Sequence, residues 1–106
     1  MSSYSEIYIY VDDIREDYSN VPDEMAFTHA RTARETIVAL KKAISHKSKI
    51  IVDLDHDLGY GWSGYDVAKW IVKKGYPDIK FHIHSANPVG VANIRQLLTH
   101  YGYEEI

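Results

Sequence analysis

The segment Lys49–Leu54 (Lys-Ile-Ile-Val-Asp-Leu) most narrows what this chain can fold into. It is too short for a core helix and nearly all apolar. A strand apolar on both faces belongs in the centre of a parallel sheet covered on both sides. Ile7–Val11 is a second run of the same kind. Parallel neighbours need crossover connections, and the intervening sequence supplies them. Thr32-Ala33-Arg34-Glu35 reads as a capping box, followed by Ala33, Ile37, Leu40 and Ile44 at helical spacing. Residues 65–74 form the next helix, with Val67, Ala68, Trp70 and Ile71 inward and Gly75 and Pro77 as its stop. Ile79–His84 reads as a strand, Asn87–Gly90 as a turn and Ala92–Tyr101 as a helix with Ile94, Leu97 and Leu98 inward. Met25–Arg31 is a short second strand, residues 14–24 a polar loop and Tyr103–Ile106 an edge strand or tail. The expectation is an α/β fold with helices on both faces of a parallel sheet.

With 106 residues, 45% of them hydrophobic and 25% charged, the chain fits one globular domain over residues 1–106. The absence of cysteine excludes disulfide scaffolds, zinc ribbons, thiol nucleophiles and thiol redox sites. No apolar run is long enough to span a bilayer, and Met1–Glu6 has no leader pattern, so a cytoplasmic protein without a membrane partner is expected. A net charge of −3 gives no footprint for long nucleic acid but is compatible with a small phosphorylated ligand at a locally positive site.

Open parallel sheets bind ligands beyond the carboxyl ends of their strands. Here those ends carry Asp12-Asp13, Asp55-His56-Asp57 and His84-Ser85. A single acidic pair is commonly a solvated turn. Two acidic groups ending adjacent central strands favour a cation, because close carboxylates repel without one. The oxygen donors Asp12, Asp13, Asp55 and Asp57 suit Mg²⁺ or Mn²⁺. His56 and His84 have the chemistry of a general acid and base. His29 and His82 read as packed strand residues, and His46 and His100 as solvated groups near helix ends. Ser85, Asn87 and Arg15 are candidates for binding phosphate, together with Arg31 and the helix start near Gly90. Gly59–Gly64 lacks the Lys-Ser/Thr of a P-loop, but its Tyr60 and Trp62 can cover a base.

Val11-Asp12-Asp13-Ile14-Arg15, Leu54-Asp55-His56-Asp57-Leu58-Gly59 and His84-Ser85-Ala86-Asn87-Pro88-Val89-Gly90 together resemble the cyclic-phosphate processing receiver family, a divergent branch of the response-regulator receiver fold. The resemblance covers nearly the whole chain. It implies a flavodoxin-like, three-layer receiver fold with strand order 2-1-3-4-5, here with the first helix reduced to a loop. It also implies a metal-binding pair at Asp12 and Asp13, a phosphoacceptor position at Asp55 and a phosphate-sensing hydroxyl at Ser85. The lysine that ordinary receivers carry after the fifth strand has no counterpart beyond Gly102, and His56 and His84 stand where ordinary receivers need no histidine. The expected function is a metal-dependent phosphoesterase that opens a cyclic phosphate, with Asp55, His56 and His84 catalytic. The alternatives are a signalling receiver phosphorylated on Asp55 and a domain that binds a cyclic phosphate without hydrolysing it.

Overall fold

The computed structural model describes residues 6–59 and 61–106. Their elements are Glu6–Val11 (β1), Ala26–Ala30 (β2), Ala33–Ser45 (α1), Lys49–Leu54 (β3), Gly64–Lys74 (α2), Ile79–Ile83 (β4), Pro88–His100 (α3) and Glu104–Glu105 (β5). The five strands form one sheet in the order β2-β1-β3-β4-β5, every neighbouring pair parallel. This is the flavodoxin-like order. β3 is central, as its two-sided apolar character requires. No helix follows β1; residues 12–25 run as turns and loop to β2.

The chain direction decides which face each connection covers. The crossovers β2-α1-β3, β3-α2-β4 and β4-α3-β5 all move the same way across the sheet. Right-handed crossovers in one direction put their helices on one face. Ala33, Leu40 and Ala43 of α1, Val67, Ala68 and Ile71 of α2, and Ile94 and Leu98 of α3 accordingly join a single core with Ile9, Val52 and Phe81. Only the β1–β2 connection runs the other way. It contains no helix, so the expected helices on both faces become three helices on one face and a loop on the other.

That second face is built from Tyr10, Asp53 and His82, which are register partners across three strands. Tyr18 of the β1–β2 connection meets Tyr10 edge-on at 5.3 Å, and His29 does so at 5.0 Å. Tyr8, Tyr10 and Asp53 are all buried.

Local signals account for most helix ends. Thr32 caps α1 by accepting the Glu35 amide at 3.0 Å, but the Glu35 carboxylate accepts from Arg31 N rather than from the cap residue. The buried stripe of α1 is Ala33, Thr36, Leu40 and Ala43, with Ile37 and Ile44 half-buried at its margin. Trp70 is likewise half-buried, packed at the border of the core. Ser63 and Asp66 form a complete capping box on α2, and Gly75 ends that helix with φ 74°. α3 begins at Pro88, four residues before the position expected from its apolar pattern. Asn87 caps it by accepting from Gly90 N at 2.9 Å, and Pro88 occupies the first turn, where its missing N–H costs nothing.

Candidate functional site

The strand order reverses between β1 and β3, and the rim above that switch point is where a site is expected. Three rim residues are fixed by extending the sheet ladder one step. Asp12 N donates to Ala30 O at 3.1 Å, Asp55 N to Val11 O at 3.1 Å and His84 N to Leu54 O at 2.9 Å. Each residue thus hangs from the last residue of the neighbouring strand. Side-chain ligand atoms of Asp12, Asp55 and His84 lie within 4.8 Å of one another.

Asp12 is almost fully buried. Its Oδ1 accepts the amides of Ile14 (2.9 Å) and Arg15 (2.7 Å), an arrangement that turns the chain out of β1. Its carbonyl accepts from His29 Nε2 at 2.8 Å, and His29 Nδ1 pairs with the Tyr18 hydroxyl at 2.7 Å. His29 is therefore a packed residue, and it steadies the backbone of Asp12.

His84 stacks on Tyr10 with ring centroids 4.8 Å apart and planes 2° from parallel. Both of its nitrogens meet carboxylates: Nδ1 lies 2.5 Å from Asp53 Oδ1, and Nε2 lies 2.9 Å from Asp12 Oδ2. Tyr8 donates its hydroxyl to the other oxygen of Asp53. A ring with an acceptor on each nitrogen satisfies both only as the imidazolium. Burial pulls the His84 pKa down, but Asp53 and then Asp12 outweigh it, and the net shift is upward. Burial alone raises the Asp12 carboxyl. The amides of Arg15 and Ile14, together with His84, reverse this and bring it below its ordinary value. The Tyr8 hydroxyl is pushed up by burial and by its bond to Asp53.

Asp55 behaves differently. Burial raises its pKa and the negative Asp12 adds to the rise, against opposition from the Asp57 amide, His84 and a hydrogen bond from Ser85. A carboxyl that resists ionising beside an ionised one has the electrostatics of a site that gains from a cation. The donor set fits a hard divalent ion. Asp12 and Asp55 supply carboxylate oxygens, while the His84 nitrogens are already committed to carboxylates and make it a counter-ion rather than a ligand.

The remaining candidates surround this cluster. The Asp13 carboxylate lies against Gly59, 3.1 Å from where a Cβ there would stand. It reaches the β3–α2 loop and is not among the ligand atoms grouped with Asp12. Asp57 is exposed and pairs with His56 through Oδ1 and Nδ1 at 2.9 Å, an interaction that lowers its pKa, with Asn87 contributing. Asn87 Nδ2 is 3.4 Å from both His56 Nδ1 and Asp57 Oδ1. The His56 ring lies over Gly90, where a Cβ would approach its Cγ to 2.4 Å. Among the described residues, no hydrogen bond is made by His56 Nε2. Ser85 Oγ accepts the Asn87 amide at 3.2 Å. Arg15 contributes its backbone amide to Asp12. Arg31 is engaged with Glu16 at 2.5 Å. The base-covering role foreseen for Tyr60 lies outside the described residues, whereas Trp62 is 61% exposed.

A sequence profile of the cyclic-phosphate processing receiver domain matches residues 7–100. The chain belongs to this family. It is thus a receiver-like domain associated with cyclic-phosphate processing. No curated protein and no solved structure gives a significant match. Among the described residues, no helix is long and apolar enough to cross a membrane.

Sequence reasoning passed over Asp53, Tyr8 and Tyr10. The one available signal was an aspartate inside the otherwise apolar Lys49–Leu54 run. A carboxylate there needs buried partners, and Tyr8 and Tyr10 alternate onto the face of the neighbouring strand that provides them.

Proposed function

We propose that this protein is a metal-dependent phosphoesterase that opens cyclic phosphates of the nucleoside 2′,3′-cyclic or ADP-ribose cyclic phosphate type. The convergence of Asp12, Asp55 and His84 at the switch point, in a chain of this family, carries the reading. Asp12 and Asp55 hold Mg²⁺ or Mn²⁺, with Asp13 and Asp57 next to them on the rim. The bound ion neutralises charge on the phosphodiester oxygens. His84, fixed between Asp53 and Asp12, presents a positive charge and keeps Asp12 ionised and oriented. His56 is the proton carrier. Asp57 on Nδ1 sets the ring, which leaves Nε2 to give a proton to the leaving alkoxide or to take one from water. Ser85, Asn87 and the Arg15 guanidinium receive the phosphate oxygens.

The hydrogen bond of Ser85 to Asp55 also suits a signalling receiver, with Asp55 as phosphoacceptor. One experiment separates the readings. The protein is incubated with adenosine 2′,3′-cyclic monophosphate and Mg²⁺ or Mn²⁺ and followed by ³¹P NMR, alongside a parallel incubation with acetyl phosphate. The expected result is conversion of the cyclic diester to a monoester. The rate should fall about 10²–10⁴-fold in His56→Asn, and metal binding should weaken in Asp12→Asn by calorimetry. An intact cyclic phosphate that nonetheless binds identifies a sequestering domain. No binding, with acid-labile phosphate on Asp55, identifies the signalling module.

A further inference from the structure

Both tryptophans of the chain line one cleft of about 680 Å³ between α1 and α2. Its α1 wall is Arg34, Ile37, Val38 and Lys41, a stripe at helical spacing turned away from the core. Its other wall is Trp62 of the β3–α2 loop and Trp70 of α2. The volume lies in the range of small-molecule sites. Val38 and Trp62, on opposite walls, are each 61% exposed, so both apolar surfaces are open to a ligand. Among the described residues, neither Arg34 nor Lys41 forms an ion pair, whereas Arg31 and Arg95 do. Thr32 lines the cleft and lies two residues beyond Ala30, the β2 residue whose carbonyl anchors Asp12. Trp62 sits in the loop between Asp55 and α2, which the bond from Gly64 N to His56 O closes at 2.8 Å.

We infer that this cleft is the base and second-phosphate subsite of the enzyme. The preferred substrate is then a nucleotide carrying an acyclic phosphate beside its cyclic one, with a bare cyclic phosphate opened less efficiently. The inference rests on the ring-opening reading for its link to turnover, though not for binding. An aromatic base stacks on Trp62 against the Ile37–Val38 surface, and the acyclic phosphate pairs with Arg34 near the rim. Lys41 is two turns farther along α1, about 10 Å away at 1.5 Å per residue, and takes the distal end of an extended ligand. Stacking on an exposed aromatic is sequence-tolerant and contributes strongly per base. A guanidinium without a carboxylate partner is suited to phosphate.

The test uses ADP as probe on the chelated, metal-free protein, so that the acidic cluster plays no part. Because the only two tryptophans line the cleft, emission excited selectively from tryptophan, on the red side of the nine tyrosines' absorption, reports on it. ADP should quench that fluorescence saturably. By calorimetry, Trp62→Ala should weaken ADP about tenfold, Trp62→Phe should retain most of the affinity, and Arg34→Glu should weaken ADP far more than adenosine. In turnover, Trp62→Ala should lower kcat/KM about tenfold for adenosine 5′-phosphate 2′,3′-cyclic phosphate and leave a base-free glycerol cyclic phosphate unchanged. Absence of quenching, or unchanged ADP affinity in a folded Trp62→Ala, overturns the subsite. If neither cyclic compound is opened, the ring-opening reading fails, and the ADP titration still decides the cleft by itself.

Discussion

The two faces of the sheet are held by different physics. Under the helices, Ile9, Val52 and Phe81 meet side chains of α1, α2 and α3 in an apolar core, where the hydroxyl of the buried Thr36 is satisfied within its own helix by Thr32 O at 2.8 Å. On the opposite face, Tyr8, Asp53, His84 and Asp12 form a chain of short hydrogen bonds and ion pairs beneath the β1–β2 connection. The first face is governed by volume, because burial and packing scale with area filled. The second is governed by partnership, because each buried charge is tolerable only while its neighbour is present. The site grows from the second face. A fixed network of charges can hold Asp12 at one position on the rim, and an aliphatic core offers no such orientation.

The largest test of this contrast is Phe81→Ala. Emptying a fully buried aromatic site should cost about 3–5 kcal/mol in denaturant unfolding, while metal binding per folded molecule stays at the parental level. A loss of metal affinity at full folding would mean that the faces are not separable. Next in size is Asp53→Asn, which changes almost no volume. Loss of the charge-assisted bond should cost about 1–3 kcal/mol and move the His84 titration, followed by NMR, toward lower pH. If the cost is negligible, partnership does not govern that face.

The smallest effect is a pH slope in chelated protein. The folded pKa of His84 is above its ordinary value of 6.5, so its contribution is fully present below about pH 6.5 and is lost as pH rises through the folded value. Asp12 has the opposite sign. Its folded pKa is lowered, so its contribution is present above its unfolded value and is lost as pH falls through the folded one. Stability of the parent should therefore decline on the alkaline side relative to His84→Gln. Parallel curves for the two proteins from pH 6 to 9 would contradict the ion-pair assignment.

The aliphatic face was legible in sequence and the polar face was not. Ile50, Val52 and Leu54 signal a central strand by composition alone. Rim residues Asp12, Asp55 and His84 follow from the rule that sites form at strand carboxyl ends. Asp53 acquires meaning only when Tyr8 and His84 are brought beside it from 45 and 31 residues away, and local patterning does not encode this. The side on which each helix lies depended on strand order, which alternation of elements leaves open. The start of α3 was hidden because Asn87 and Pro88 are equally good turn formers and helix starters.

Gly90 shows what the site demands of its scaffold. Glycine near the start of a thirteen-residue helix is a poor helix former, and alanine there would ordinarily add up to about 1 kcal/mol. Here a methyl group would stand 2.4 Å from His56 Cγ. The first turn of α3 and the imidazole compete for one volume, so Gly90→Ala sets a better helix former against an overlap that only movement of the His56 ring or of the helix relieves. A design rule that replaces helical glycines with alanine would be misapplied at this position, because the space the methyl needs is the space that holds His56 beside Asp57.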